Sequence, residues 1–156
     1  RIAPSATRGA SKPLGRGPEA PRRGAQEPLR WRPRPAPTTP TDFVQGLECV
    51  CGAGSPELKH GVSIQSYCFD EDMRDAAYGS NDGHLLIVPQ RGTLLLTTEL
   101  GRLRAAPGSC VVVPRNILFS VALERGDFAR GWILEVFGHA FALPELGPIG
   151  ANGLAE

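Results

Sequence analysis

The chain has 156 residues, 41% of them hydrophobic and 21% charged, with 15 Pro and 19 Gly, which allows one domain and a tail. Its formal charge of +1 hides a division: residues 1–40 carry nine Lys or Arg against two acids, and residues 41–156 carry eight against fourteen. No window of eighteen apolar residues exists, so no membrane-spanning helix is expected, and the acidic body leaves only the tail to contact nucleic acid.

Residues 1–30 have almost no apolar periodicity, with Leu14 and Leu29 isolated among Pro and Arg. Such a segment buries too little surface to offset its ordering entropy, so a disordered basic tail is predicted there, followed by one domain over 31–156. An RNA- or membrane-binding arm and an Arg-rich transit peptide both fit this composition. A terminus with no role of its own is the preferred reading. Trp31 to Pro40 is Pro-rich and predicts an extended, polyproline-like run.

Asp42 to Cys51 forms the first apolar cluster, and Gly52-Ala53-Gly54-Ser55-Pro56 predicts a loop after it. Gly52 and Gly54 lack the following Lys-Ser/Thr of a phosphate cradle. Val62 to Phe69 alternates as a strand does. Asp70, Glu71, Asp72 and Asp75 then read as a solvated acidic loop without the regular oxygen spacing of a calcium loop. Ser80-Asn81-Asp82-Gly83 predicts a tight turn.

The stretch from Gly83 to Phe137 organises the rest, and what precedes it reads as tail or lead-in. Its runs are His84–Pro89, Thr93–Thr98, Cys110–Pro114, Ile117–Leu123 and Gly131–Phe137. Each is rich in Val, Ile, Leu or Thr and closed by turn residues, which predicts an all-β sandwich or barrel of antiparallel strands with helices few or absent. Turns are expected at Gln90-Arg91-Gly92, Leu100-Gly101, Pro107-Gly108 and Arg115-Asn116. Ile117, Phe119, Val121 and Leu123 should share one face. Leu86, Leu95, Val112, Phe119 and Ile133 are the expected core.

Chemistry is sparse. A ferrous or similar metal site takes two His and a carboxylate, or three His, converging on one point. His60, His84 and His139 are scattered, Glu99 and Glu135 are single acids on strands, and no nucleophile elbow is present. No catalytic, cofactor-binding or metal-ligating residue is therefore assigned. Cys68 and Cys110 sit in apolar patterns and are expected buried and reduced. With no CxxC pair among Cys49, Cys51, Cys68 and Cys110, the default location is cytoplasmic.

The run from Ala106-Pro107-Gly108 through Val111-Val112-Val113-Pro114 to Asn116 resembles the second motif of the cupin superfamily, with Phe119 where a metal-binding His is expected. A wider resemblance covers roughly Trp31 to Ala155. Asp42-Phe43-Val44-Gln45-Gly46-Leu47, Leu86 to Gly92, Ile133 to Gly138 and Phe141 to Ala155 are similar to the homogentisate 1,2-dioxygenase family. His84 and Asn116 depart from its pattern, at two turn positions. The resemblance implies an incomplete cupin-like jelly-roll or β-sandwich from the N-terminal β domain of an enzyme. That enzyme opens the aromatic ring of homogentisate with O2, giving maleylacetoacetate in tyrosine and phenylalanine catabolism. It implies Fe(II) held by two His and a Glu in a C-terminal half outside the matched region, and protomers that form trimers pairing into hexamers. This chain alone is then expected to be inactive, to bind no iron and to be poorly soluble. The alternative is a stand-alone, metal-free cupin-like module that binds a small molecule or a partner protein.

Overall fold

A computed structural model describes residues 33–143. The expected disordered tail over 1–30 lies outside these residues, as does most of the Phe141–Ala155 motif. Six strands and no helix make up the described part: β1 (Leu47–Ser55), β2 (His60–Phe69), β3 (Gly83–Thr98), β4 (Gly101–Ala105), β5 (Val111–Val113) and β6 (Phe119–Phe137). All pairings are antiparallel, in the order β1-β2-β6-β3-β4, with β5 also on β3. The strands β4 and β5 follow one another along the same edge of β3, interrupted by the Pro107-Gly108 turn.

Two long strands replace four expected short ones. Gln90-Arg91-Gly92 does not reverse the chain: it is an irregularity inside β3, where the register to β6 shifts three times between Pro89 and Leu94. Pro89 has no N–H to give to a ladder, so pairing is weakest there, and bulges concentrate at such positions. Likewise Ile117–Leu123 and Gly131–Phe137 fall largely within the single strand β6, joined through exposed Glu124–Asp127. The expected loop at Gly52–Ser55 is also strand: β1 runs to Ser55, and Gly52 pairs with Ser63 and Gly54 with Gly61.

The bulges decide which side chains are buried. Before them Leu85 and Ile87 face inward, and after them Leu94 and Leu96 do. Of the expected core, Phe119 and Ile133 are buried, whereas Leu86 and Leu95 are half-buried and Val112 is exposed. The sequence is apolar at every position from Leu85 to Val88, so alternation cannot choose a face there. In β6 Phe119 and Val121 are buried, and Leu123 and, just before the strand, Ile117 pack against the same cluster, as their spacing predicts. The described fold is an all-β antiparallel arrangement.

The core is centred on a residue of the supposed lead-in. Phe43 is fully buried, with its ring 5.4 Å from Tyr67, 5.7 Å from Phe69, 6.0 Å from Tyr78 and 6.1 Å from Phe119. These are tilted or edge-on contacts, the arrangement aromatic quadrupoles favour. Phe43 stays in place because the backbone around it is tied down: Gly46 N–H donates to Asp42 O at 2.9 Å, and Cys68 N–H donates to Gly46 O at 3.1 Å. Cys68 is buried as expected, but Cys110 is exposed, because it precedes β5 in the turn that follows Pro107-Gly108.

Candidate functional site

The strongest concentration of buried polar groups surrounds Glu135. Alternation along β6 places it on the inner face with Ile133 and Phe137, and it is 8% exposed. One carboxylate oxygen accepts from Ser80 Oγ at 2.5 Å and the other from Gln65 Nε2 at 3.1 Å. Ser80 Oγ in turn accepts from the backbone N–H groups of Asp82 and Gly83, both at 3.1 Å. The Ser80–Gly83 turn is thereby pinned to β6 and β2. Burial raises the Glu135 pKa above the usual carboxylate range; the Ser80 bond opposes this, Asp82 adds to it, and the Gln65 bond opposes it again. Tyr78 is pushed up to about 12, first by burial and then by the Glu135 charge.

This cluster can hold a turn, and it can retain a proton above the usual range. Its one hydroxyl, Ser80 Oγ, is engaged by Glu135 and two backbone N–H groups, and its second acid, Asp82, is exposed. Glu99 lies far along β3 from it, in the turn to β4, where its carboxylate accepts weakly from Leu118 N–H at 3.4 Å. Sequence reasoning passes over Glu135 as a single strand acid. The signal available is its phase: it shares a face with Ile133 and Phe137, where a charge is costly unless it is hydrogen-bonded.

The histidines take three separate roles. His60 opens β2 opposite Ser55, and His139 follows β6; both are exposed. His84 Nδ1 accepts from Arg115 N–H at 3.4 Å, across the turn where Asn116 adopts φ 67°. The side chain of His84 thus supports the turn that contains Asn116. Register places all three histidines near one end of the sheet, since Phe137 pairs with both Gly61 and Gly83. Among the described residues no group of three or more His, Cys, Asp or Glu side chains is arranged to hold a metal ion.

The ferrous iron implied by the resemblance does not fit these residues. Both oxygens of the one buried carboxylate are already hydrogen-bonded to Ser80 and Gln65, and His84 turns a ring nitrogen to a backbone N–H. A cavity of about 200 Å³ lies beside the segment around Arg34 and is bordered by Arg34, Arg130 and Trp132. Its guanidinium groups are spent on structure: Arg34 donates to Gly46 O at 2.6 Å, and Arg130 donates to Gln90 at 3.0 Å and to Arg34 O at 2.9 Å.

The family described as "Homogentisate 1,2-dioxygenase N-terminal" matches residues 1–156, taking in residues 1–30, which the quoted motifs do not reach. A homogentisate 1,2-dioxygenase of Oryza sativa subsp. japonica is 51% identical over 130 residues, which is 82% of this chain and 27% of the relative. One of Arabidopsis thaliana is 49% identical over 127 residues, 81% of this chain and 27% of the relative. The chain thus spans about a quarter of the length of these relatives. Among solved structures, an RmlC-like cupin with a double-stranded β-helix fold from Methanocaldococcus jannaschii matches with a TM-score of 0.51 and 17% identity. That match covers 74% of this chain and 94% of the other, and it bears on the fold alone. With the family matched over its whole length, the chain belongs to the homogentisate 1,2-dioxygenase N-terminal family.

Proposed function

We propose that this chain is the N-terminal β scaffold of an enzyme that opens the ring of homogentisate with O2 to give maleylacetoacetate. The observation that carries this reading is the 51% identity to the rice relative over 82% of the chain. The chemistry that ferrous iron supplies, the activation of O2 and of the aromatic substrate, then belongs to side chains outside residues 33–143. The residues described here hold the scaffold. Phe43 and its aromatic neighbours fix the interior, and Glu135, Ser80 and His84 fix the turns at one end of the sheet. On this reading the chain by itself has no turnover. Assembly of the whole protein as trimers pairing into hexamers, and a cytoplasmic location, belong to the same proposal.

The test is oxygen uptake with homogentisate and added Fe(II). It compares this chain alone with this chain joined to the part of the rice relative beyond the matched stretch. No uptake by the chain alone and turnover by the fusion are expected. Turnover by the chain alone would place the iron ligands among its own residues and overturn the reading.

A further inference from the structure

We propose that the outer face of the half-sheet β1-β2-β6-β3-β5 is a docking surface, covered in the whole enzyme by an apolar layer from the remaining part of the same polypeptide. This rests on the reading above, that the chain is one part of a longer enzyme. The surface itself is read directly from the strand register.

Ile64 pairs with Leu134, Leu134 with Leu86, and Leu86 with Val112, so one apolar row crosses four strands on the face turned away from the core. A parallel row beside it contains Trp132 and Val88, which pair with each other. Val88 is 38% exposed and Val112 43%, while Ile64, Leu86, Trp132 and Leu134 are half-buried. An antiparallel sheet with water on one face alternates apolar and polar residues; strands that are apolar on both faces belong to sheets covered on both. Cover is present at one end of this face. There the Arg34–Pro35 segment lies over Cys68 and Arg130, with Cys68 Sγ 3.2 Å from Pro35 O. Val88 and Val112 keep the largest exposure in the two rows, and Val112 borders a cavity of about 250 Å³ that it shares with Leu103, Pro114 and Ile117.

The geometry points to an occupant in the same polypeptide rather than a second copy. The last strand, β6, ends at Phe137 beside Gly83, and β3 lies next to β5. Two strand spacings of about 4.8 Å put the end of β6 about 10 Å from the strand that carries Val112. The described chain continues from that end of the sheet through Gly138, which lies against the backbone of Lys59, to Leu143. About three quarters of the relatives' length remains to supply the layer.

The experiment places a thiol on the face. A Val112→Cys variant, with exposed Cys49, Cys51 and Cys110 changed to Ser, is alkylated with iodoacetamide in the 156-residue chain and in the fusion to the rice remainder. Labelling in the fusion is expected to be slower by about tenfold or more, and equally slow on dilution, because the opening that exposes the site is then an intramolecular event. Equal rates in the two proteins overturn the proposal. Protection that grows with protein concentration also overturns it, because it assigns the face to a second copy. Adding Val88→Asp to the fusion should restore labelling while the slow-exchanging amides of β3 and β6 stay protected. If the fusion loses those amides, the remainder is added in trans to the intact chain and the same rates are read. Oxygen uptake separates this proposal from the preceding one: protection without turnover sinks the activity and keeps the surface, and turnover without protection does the reverse.

Discussion

The two faces of one half-sheet are built from the same residue types and have different fates. On the inner face Leu85, Ile87 and Ile133 are almost wholly removed from water, and Phe43, Tyr67 and Phe69 close over them. On the outer face, one residue along each strand, Leu86, Val88 and Leu134 keep part of their surface in water. Composition does not separate them. What separates them is cover: the described residues enclose the inner face and leave part of the outer one in water.

The largest effect is expected at the centre of the inner side. Phe43→Ala removes a fully buried ring that contacts four other aromatic side chains, and such truncations cost about 3–5 kcal/mol. A domain of this size has little more than that to lose. Urea denaturation followed by far-UV circular dichroism should show a variant that is barely folded or unfolded in buffer. A shift in the midpoint corresponding to less than about 1 kcal/mol would show that the Phe43 site is dispensable and that the inner side is held elsewhere.

Next comes the one charge placed on the inner face. Burial raises the Glu135 pKa, so between the ordinary carboxylate range and its raised value the folded state holds a proton that the unfolded state releases. Stability therefore falls as pH rises through that window. Glu135→Gln keeps the shape and removes the titration, so its urea midpoint should change less than the wild-type midpoint between about pH 5 and pH 8. The opposite order would mean that the bonds from Ser80 and Gln65 outweigh burial. Glu135→Ala leaves those two donors without their acceptor and should cost about 1–3 kcal/mol at either pH.

Much of this fold is legible in the sequence because strand identity depends on local composition. Val62–Phe69 and the turns at Leu100-Gly101 and Arg115-Asn116 are all readable, the last from the tolerance of Asn for positive φ. The assignment of faces is not. Leu86 and Val112 are expected in the core and lie on the outer face, because every residue from Leu85 to Val88 is apolar and a period of two has no phase there. The bulges in β3 move the buried phase from odd positions, at Leu85 and Ile87, to even ones, at Leu94 and Leu96. They depend on pairing with β6 rather than on residue type. Phe43 reads as lead-in because its partners are distant in sequence. Glu135 escapes notice for a related reason: its two hydrogen-bond donors, Gln65 and Ser80, lie 70 and 55 residues away.

The smallest effect on folding is expected on the outer face, and there a null result is informative. Val88 and Ile87 are adjacent in β3, yet Ile87 is buried and Val88 is 38% exposed. A carboxylate at position 88 meets water rather than core, so Val88→Asp in this chain should change stability by no more than about 0.5 kcal/mol, the range of ordinary surface substitutions. It should also reduce self-association, because it places a charge beside the apolar row of Ile64, Leu134, Leu86 and Val112. Sedimentation velocity over a range of concentrations reads the second effect and urea denaturation the first. A large loss of stability would mean that the outer face is already packed within this chain. The faces would then not differ, and the exposed apolar row would need no partner from the rest of the enzyme.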